Sequence, residues 1–135
     1  MNIQELAVRL SDLQSFQGYE LEYQPIPGEV EVLQVTVGEF AELPSFVSVT
    51  DTQILCITWL FAEDEVKEES RAAMMEEMLE LNIPIPLSAF AKVDNRYVIY
   101  GALSINSSIE DICQELVSLS ENAVEAITVL EEFLK

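Results

Sequence analysis

Carboxylates are the abundant reactive groups of this chain. Twenty-five Asp and Glu stand against six Lys and Arg, and there is no histidine. Without histidine there is no Ser–His–acid triad, no imidazole general base and no imidazole metal ligand. Cys56 and Cys113 are the only thiols, and neither belongs to a Cys-x-x-Cys pair. Cys56 lies in the apolar run Ile54–Phe61 and Cys113 on the apolar face of a helical segment, so both read as small buried hydrophobes. The four glycines, Gly18, Gly28, Gly38 and Gly101, are scattered, which leaves no phosphate-cradling loop. Acids alone can still act as a carboxylate pair or hold a hard cation. No acidic stretch, however, has the spacing and glycine of a calcium loop. The chain therefore reads as a non-enzyme with no catalytic residue, metal or cofactor assigned. A carboxylate- or metal-dependent enzyme is the alternative.

The densest acidic run is Glu63, Asp64, Glu65, Glu68 and Glu69. Its first reading is a solvated helix face, its sharper one a docking surface for a basic partner. Met74, Met75 and Met78 follow at helical spacing. Methionine adapts to varied partners, but this spacing fits core or dimer-interface packing better. Lys92 and Arg96 form the one local basic spot, too small to displace counterions from nucleic acid. A net charge of −19 repels nucleic acid and anionic lipid alike.

These groups need elements to position them. The 135 residues favour a single domain, 1–135, with one core. Asn2 with Glu5 resembles a capping box, and the spacing predicts a helix over Ile3–Gln14 that ends near Gly18. Tyr19–Tyr23 alternates like a short strand, and Pro25, Pro27 and Gly28 then break regularity. Val30–Val37, Phe46–Thr50 and Gln53–Phe61 read as an antiparallel meander. A helix over Glu63–Leu81 follows, its acids favouring the positive end of the helix dipole, and Pro84 and Pro86 stop it. Ser88–Val93 and Arg96–Leu103 flank Asp94-Asn95, a two-residue hairpin turn. Ser107 with Glu110 starts a last helix running to Lys135. The fold class is α+β, ordered α-β-β-β-α-β-β-α, an antiparallel sheet packed by helices.

Both faces of that sheet look apolar. The turn at Asp94-Asn95 pairs Val93 with Arg96 and Phe90 with Ile99. One face then holds Phe90, Tyr97, Ile99 and Leu103, the other Ala89, Ala91, Val98 and Tyr100. In Gln53–Phe61, Leu55, Ile57, Trp59 and Phe61 lie on one side, Ile54, Cys56 and Leu60 on the other. A sheet with one wet face would alternate between apolar and polar. Either three helices cover both faces or a second subunit covers one, and a symmetric homodimer is expected. Trp59, Phe61, Met74, Met75 and Met78 are its candidate interface, or that of another protein partner. Met1–Leu10 lacks the basic and apolar regions of a signal peptide. The longest apolar run, Ile54–Ala62, is far short of the ~20 residues a membrane-spanning helix needs. The expected location is cytoplasmic, without membrane insertion.

The stretch Glu42-Leu43-Pro44 through Gln53-Ile54-Leu55-Cys56, with Asn82 through Phe90 and Tyr97–Ser107, resembles the bacterial YjfI-type family of small proteins. The resemblance covers most of the chain, and its motifs carry no assigned chemistry. Because similar proteins are often encoded beside relatives of phage shock protein A, it implies an envelope-stress role. A phage-shock-protein-A relative would then be a partner of the acidic surface. Element order, size and acidity are also similar to type III secretion chaperones and YbjN-like proteins. That likeness implies a dimer holding an extended partner segment on apolar patches. The function expected is non-catalytic protein binding, chaperone-like or adaptor-like.

Overall fold

The structure, a computed structural model, describes residues 1–13 and 15–135. Among them the order is α1 (Ile3–Leu13), β1 (Ser15–Phe16), β2 (Tyr19–Ile26), β3 (Val32–Val37), β4 (Ser45–Val49), β5 (Gln53–Ala62), α2 (Arg71–Leu81), β6 (Ala89–Val93), β7 (Arg96–Ser104) and α3 (Ile109–Leu130). Asn2 caps α1, its Oδ1 accepting the Glu5 N–H at 2.8 Å; the expected end at Gln14 lies outside the described residues. Gly18 does not end this helix. It turns a β1–β2 hairpin with Gln17, both at positive φ (86° and 52°), as a two-residue primed turn requires.

The described strands form one antiparallel sheet in the order β1-β2-β3-β4-β5-β7-β6. The meander β3–β4–β5 and the hairpin pairs Val93–Arg96 and Phe90–Ile99 form as expected. Two strands more than the expected element order precede them: β1, and β2, which contains the alternating stretch Tyr19–Tyr23. Pro25 stays within β2, opposite Leu33, because most of β2 lies at the sheet edge, where a missing N–H costs no ladder bond.

The Glu63–Leu81 helix is corrected. Glu63–Glu65 and Glu68–Ser70 are separate 3-10 turns, and the α-helix starts only at Arg71. Between the turns Val66 is extended, buried and bridged to Leu134. A continuous helix would have stacked Asp64 on Glu68 and Glu65 on Glu69, like charges at i,i+4. The same bridge draws the C-terminus away from α3, with the Lys135 N–H donating to the Glu65 carbonyl at 2.8 Å. The cap of α3 is Ser108, not Ser107: its Oγ accepts the Asp111 N–H at 3.1 Å.

All three helices of the described residues lie on one face of the sheet. Leu6 and Leu10 of α1, Met74 and Met78 of α2, and Ile112, Leu116 and Leu119 of α3 close over Leu33, Val35, Val47, Ile54, Cys56 and Ile99. The helices therefore do not cover both faces. A bulge corrects the reading of β5: Trp59 pairs with Val98 but Phe61 with Tyr97, leaving Leu60 as the extra residue. The slip reverses the alternation. Phe61 thus turns into the core against the Tyr97 ring, centroids 5.5 Å apart, while Trp59 stays on the uncovered face.

Candidate functional site

The structure breaks up the acidic run. Glu63 Oε1 takes both Arg71 Nη2 at 2.9 Å and Lys92 Nζ at 3.2 Å. Glu65 Oε2 accepts the Ala62 N–H at 2.8 Å, capping its own turn. Asp64, Glu68 and Glu69 remain exposed, so only part of the predicted acidic surface faces solvent freely. Lys92 is spent on Glu63, and Arg96 lies over the Trp59 ring at 5.4 Å.

The methionines separate by depth. Met74 and Met78 belong to the core, whereas Met75 is half-buried. With Leu79 it walls a groove of about 210 Å³ between α2 and β6, floored by Met78, Phe90 and Tyr97 and lined also by Lys92. Leu79 is 70 % exposed. The sequence reading misses it, although it lies one helical turn beyond Met75 on the same stripe. The groove runs beside β6, an edge strand of the sheet. Asn82 Oδ1 accepts the outward N–H of Phe90 at 2.7 Å, which blunts one end of that edge. Nothing bonds the Lys92 end in this way among the described residues.

Between α3 and β7 lies a group that the sequence reading does not single out. Glu115 of α3 is only 4 % exposed, and its Oε1 has no hydrogen-bond partner among the described residues. That oxygen occupies the space a side chain at Gly101 would fill, close to the Leu87 carbonyl. Burial pushes the Glu115 carboxyl up to about 7. Cys56, opposite Gly101 in the sheet, is pushed up to about 12 by burial and then by the Glu115 charge. Burial, then Glu110, raises Cys113 to about 11. Both thiols are thus protonated at neutral pH and poor nucleophiles. Among the described residues no three His, Cys, Asp or Glu converge as metal ligands, and no helix is long and apolar enough to cross a membrane.

The two-layer α+β architecture, three helices on a seven-stranded antiparallel sheet among the described residues, is similar to the folds of YbjN and of a chain of the ExsC–ExsE complex. The ExsC–ExsE complex supplies a chain matching at a TM-score of 0.54 with 13 % identity, over 96 % of this chain and 97 % of that one. YbjN from Escherichia coli matches at 0.62 with 16 % identity, over 97 % and 90 %. An uncharacterized protein from Methanothermobacter thermautotrophicus matches at 0.65 with 13 % identity, over 98 % and 99 %. The chain belongs to DUF2170, a family of uncharacterized proteins conserved in bacteria, whose model matches residues 1–134. Uncharacterized protein YjfI from Escherichia coli K12 is 23 % identical over 103 residues, 75 % of this chain and 77 % of that one.

Proposed function

We propose that this chain is a non-catalytic, chaperone-like protein that holds a segment of another protein in the groove between α2 and β6. The observation that carries this reading is Leu79, a large apolar side chain left 70 % exposed on the wall of an apolar groove at a sheet edge. An extended segment fits such a place, its backbone along the strand edge and alternate side chains in the groove. Glu76 and Glu80 are exposed on the same helix, so a segment with basic residues beside its apolar ones is favoured. Its binding should weaken as salt rises. A fold shared with a protein solved in a two-protein complex supports the reading. So do the protonated thiols and the enclosed carboxyl, which offer no reactive group to a substrate. A basic surface of a phage-shock-protein-A relative, in an envelope-stress role, is the particular partner to try first.

The test places a photo-crosslinking residue at position 79 and, as control, at Val8 on α1, which is 61 % exposed. The reading predicts a discrete protein crosslinked from position 79 only, and lost when Met75→Glu is added. The same products from both positions, or none from position 79, would refute it.

A further inference from the structure

The face of the sheet away from the helices carries a second apolar cluster that none of the described residues covers. The strand registers align Phe46, Ile57 and Tyr100 across β4, β5 and β7, and place Trp59 against Val98 beside them. None of these belongs to the core cluster, yet Val98 is only 1 % exposed, sheltered between the chain's lone tryptophan and Ala91.

From this face we infer that two copies of the chain associate back to back, sheet against sheet. Charge selects the occupant. Within this patch the outward residues of β3 are Val32, Gln34 and Thr36; those of β4 are Phe46 and Ser48, and those in the middle of β5 are Leu55, Ile57 and Trp59. On β7 they are Arg96, Val98, Tyr100 and Ala102, and on β6 Ala89, Ala91 and Val93. In a chain with 25 acids these fifteen outward positions hold no carboxylate, and acids return only at Glu20 and Glu22 of β2. A basic partner finds nothing here to attract it, and an acidic one finds Arg96 alone, already over Trp59. Two chains of net charge −19, by contrast, can touch at this acid-free face with the least repulsion.

Size agrees with charge. Five strands ~4.8 Å apart, each contributing about five residues at ~3.4 Å, present roughly 400 Å² in plan. The accessible area of that corrugated surface is larger, which brings it toward the roughly 800 Å² per partner of a standard interface. An extended peptide would cover one strand's width, whereas a second sheet covers all five.

The test is solution mass by light scattering over a dilution series, at low and high salt, with Trp59 emission as the local reporter. The wild type and Leu79→Glu should both run near twice 15.2 kDa and dissociate on dilution. The dissociation constant should fall as salt rises, because screening weakens the repulsion between protomers. Ile57→Glu should run as a monomer with unchanged circular dichroism; if it fails to fold, Tyr100→Glu replaces it. In the wild type, acrylamide quenching of Trp59 should increase on dilution. A wild-type monomer with Trp59 freely quenched at every concentration would overturn the inference. So would a dimer that survives both sheet variants or is broken by Leu79→Glu. Loss of partner crosslinking at position 79 with the dimer intact would count against the groove and leave this inference standing.

Discussion

The two faces of the sheet are written into the same strands, one residue apart, and they carry different chemistry. Toward the helices stand branched aliphatics and a thiol, Leu33, Val35, Val47, Ile54, Cys56 and Ile99, all fully buried. Even the polar pair on that side is closed on itself, Ser45 Oγ and Thr58 Oγ1 lying 2.8 Å apart. Away from the helices stand Phe46, Trp59 and Tyr100 with Ile57 and Leu55, all half-buried. Aliphatic side chains in well-defined rotamers suit a permanent core. Aromatic rings with a polar tip, such as Trp59 and Tyr100, suit a surface that is sometimes wet and sometimes covered. One face therefore serves folding, while the other is free to serve association.

The largest effects should separate the faces by stability. Leu116→Ala, in α3 where it is fully buried over the covered face, should cost about 2–5 kcal/mol through lost burial and a cavity. Ile57→Ala on the open face should cost under about 1.5 kcal/mol in dilute protein, where no second copy is present to leave a gap. Urea unfolding at low concentration measures both. Equal costs would mean that the open face is already covered within one chain.

What the strands spell out locally was readable from their residues. Asp94-Asn95 between two alternating runs places the hairpin and its register, because turn geometry fixes which residues face each other. The bulge at Leu60 is invisible at that level: it moves Phe61 across the sheet so that its ring can meet Tyr97, a partner far along the chain. The break at Val66 has the same origin, since its partner Leu134 arrives from the opposite end. Glu115 did leave a trace, as an acid within the apolar stripe of Ile112, Cys113 and Leu116. What makes its burial feasible, the absence of a side chain at Gly101, becomes apparent only when β7 and α3 are packed together. The groove was half legible, with Met75 and Met78 marked and Leu79 passed over, because periodicity names a stripe but not which part of it the fold leaves bare.

Glu115 gives the covered face a weakness that the open face lacks, and pH should expose it. An acid whose pKa rises on folding favours the folded state only while it is protonated. Stability contributed by Glu115 should be intact below the ordinary glutamate range near 4.5 and fall as pH rises toward its folded value of about 7, with little further change above. A tenfold change in proton affinity on folding is worth about 1.4 kcal/mol, so the loss should be visible in thermal melts. Glu115→Gln, a neutral isostere, should flatten the wild-type slope between these limits, and an unchanged slope would assign it to other acids. Gly101→Ala should destabilise by forcing the carboxyl aside. Adding Glu115→Ala should recover part of that loss, with a coupling of about 0.5–3 kcal/mol.

The smallest effect belongs to the ion pairs at the edge of the groove. Glu63 holds Arg71 and Lys92 together, but Arg71 is 45 % and Lys92 39 % exposed, so water and salt screen both contacts. Exposed pairs contribute about 0–1 kcal/mol, and Glu63→Gln should change the urea midpoint by no more than that. Its effect on binding should be larger in proportion, because Lys92 lines the groove and Glu63 sets where its ammonium rests. Freed from Glu63, that cation can swing over the groove beside β6 and repel a basic segment there. The dimer mass should not respond, since neither residue lies on the uncovered sheet face. A change in dimer mass in Glu63→Gln would mean that the two surfaces communicate through β6 and β7, and the separation of the faces would fail.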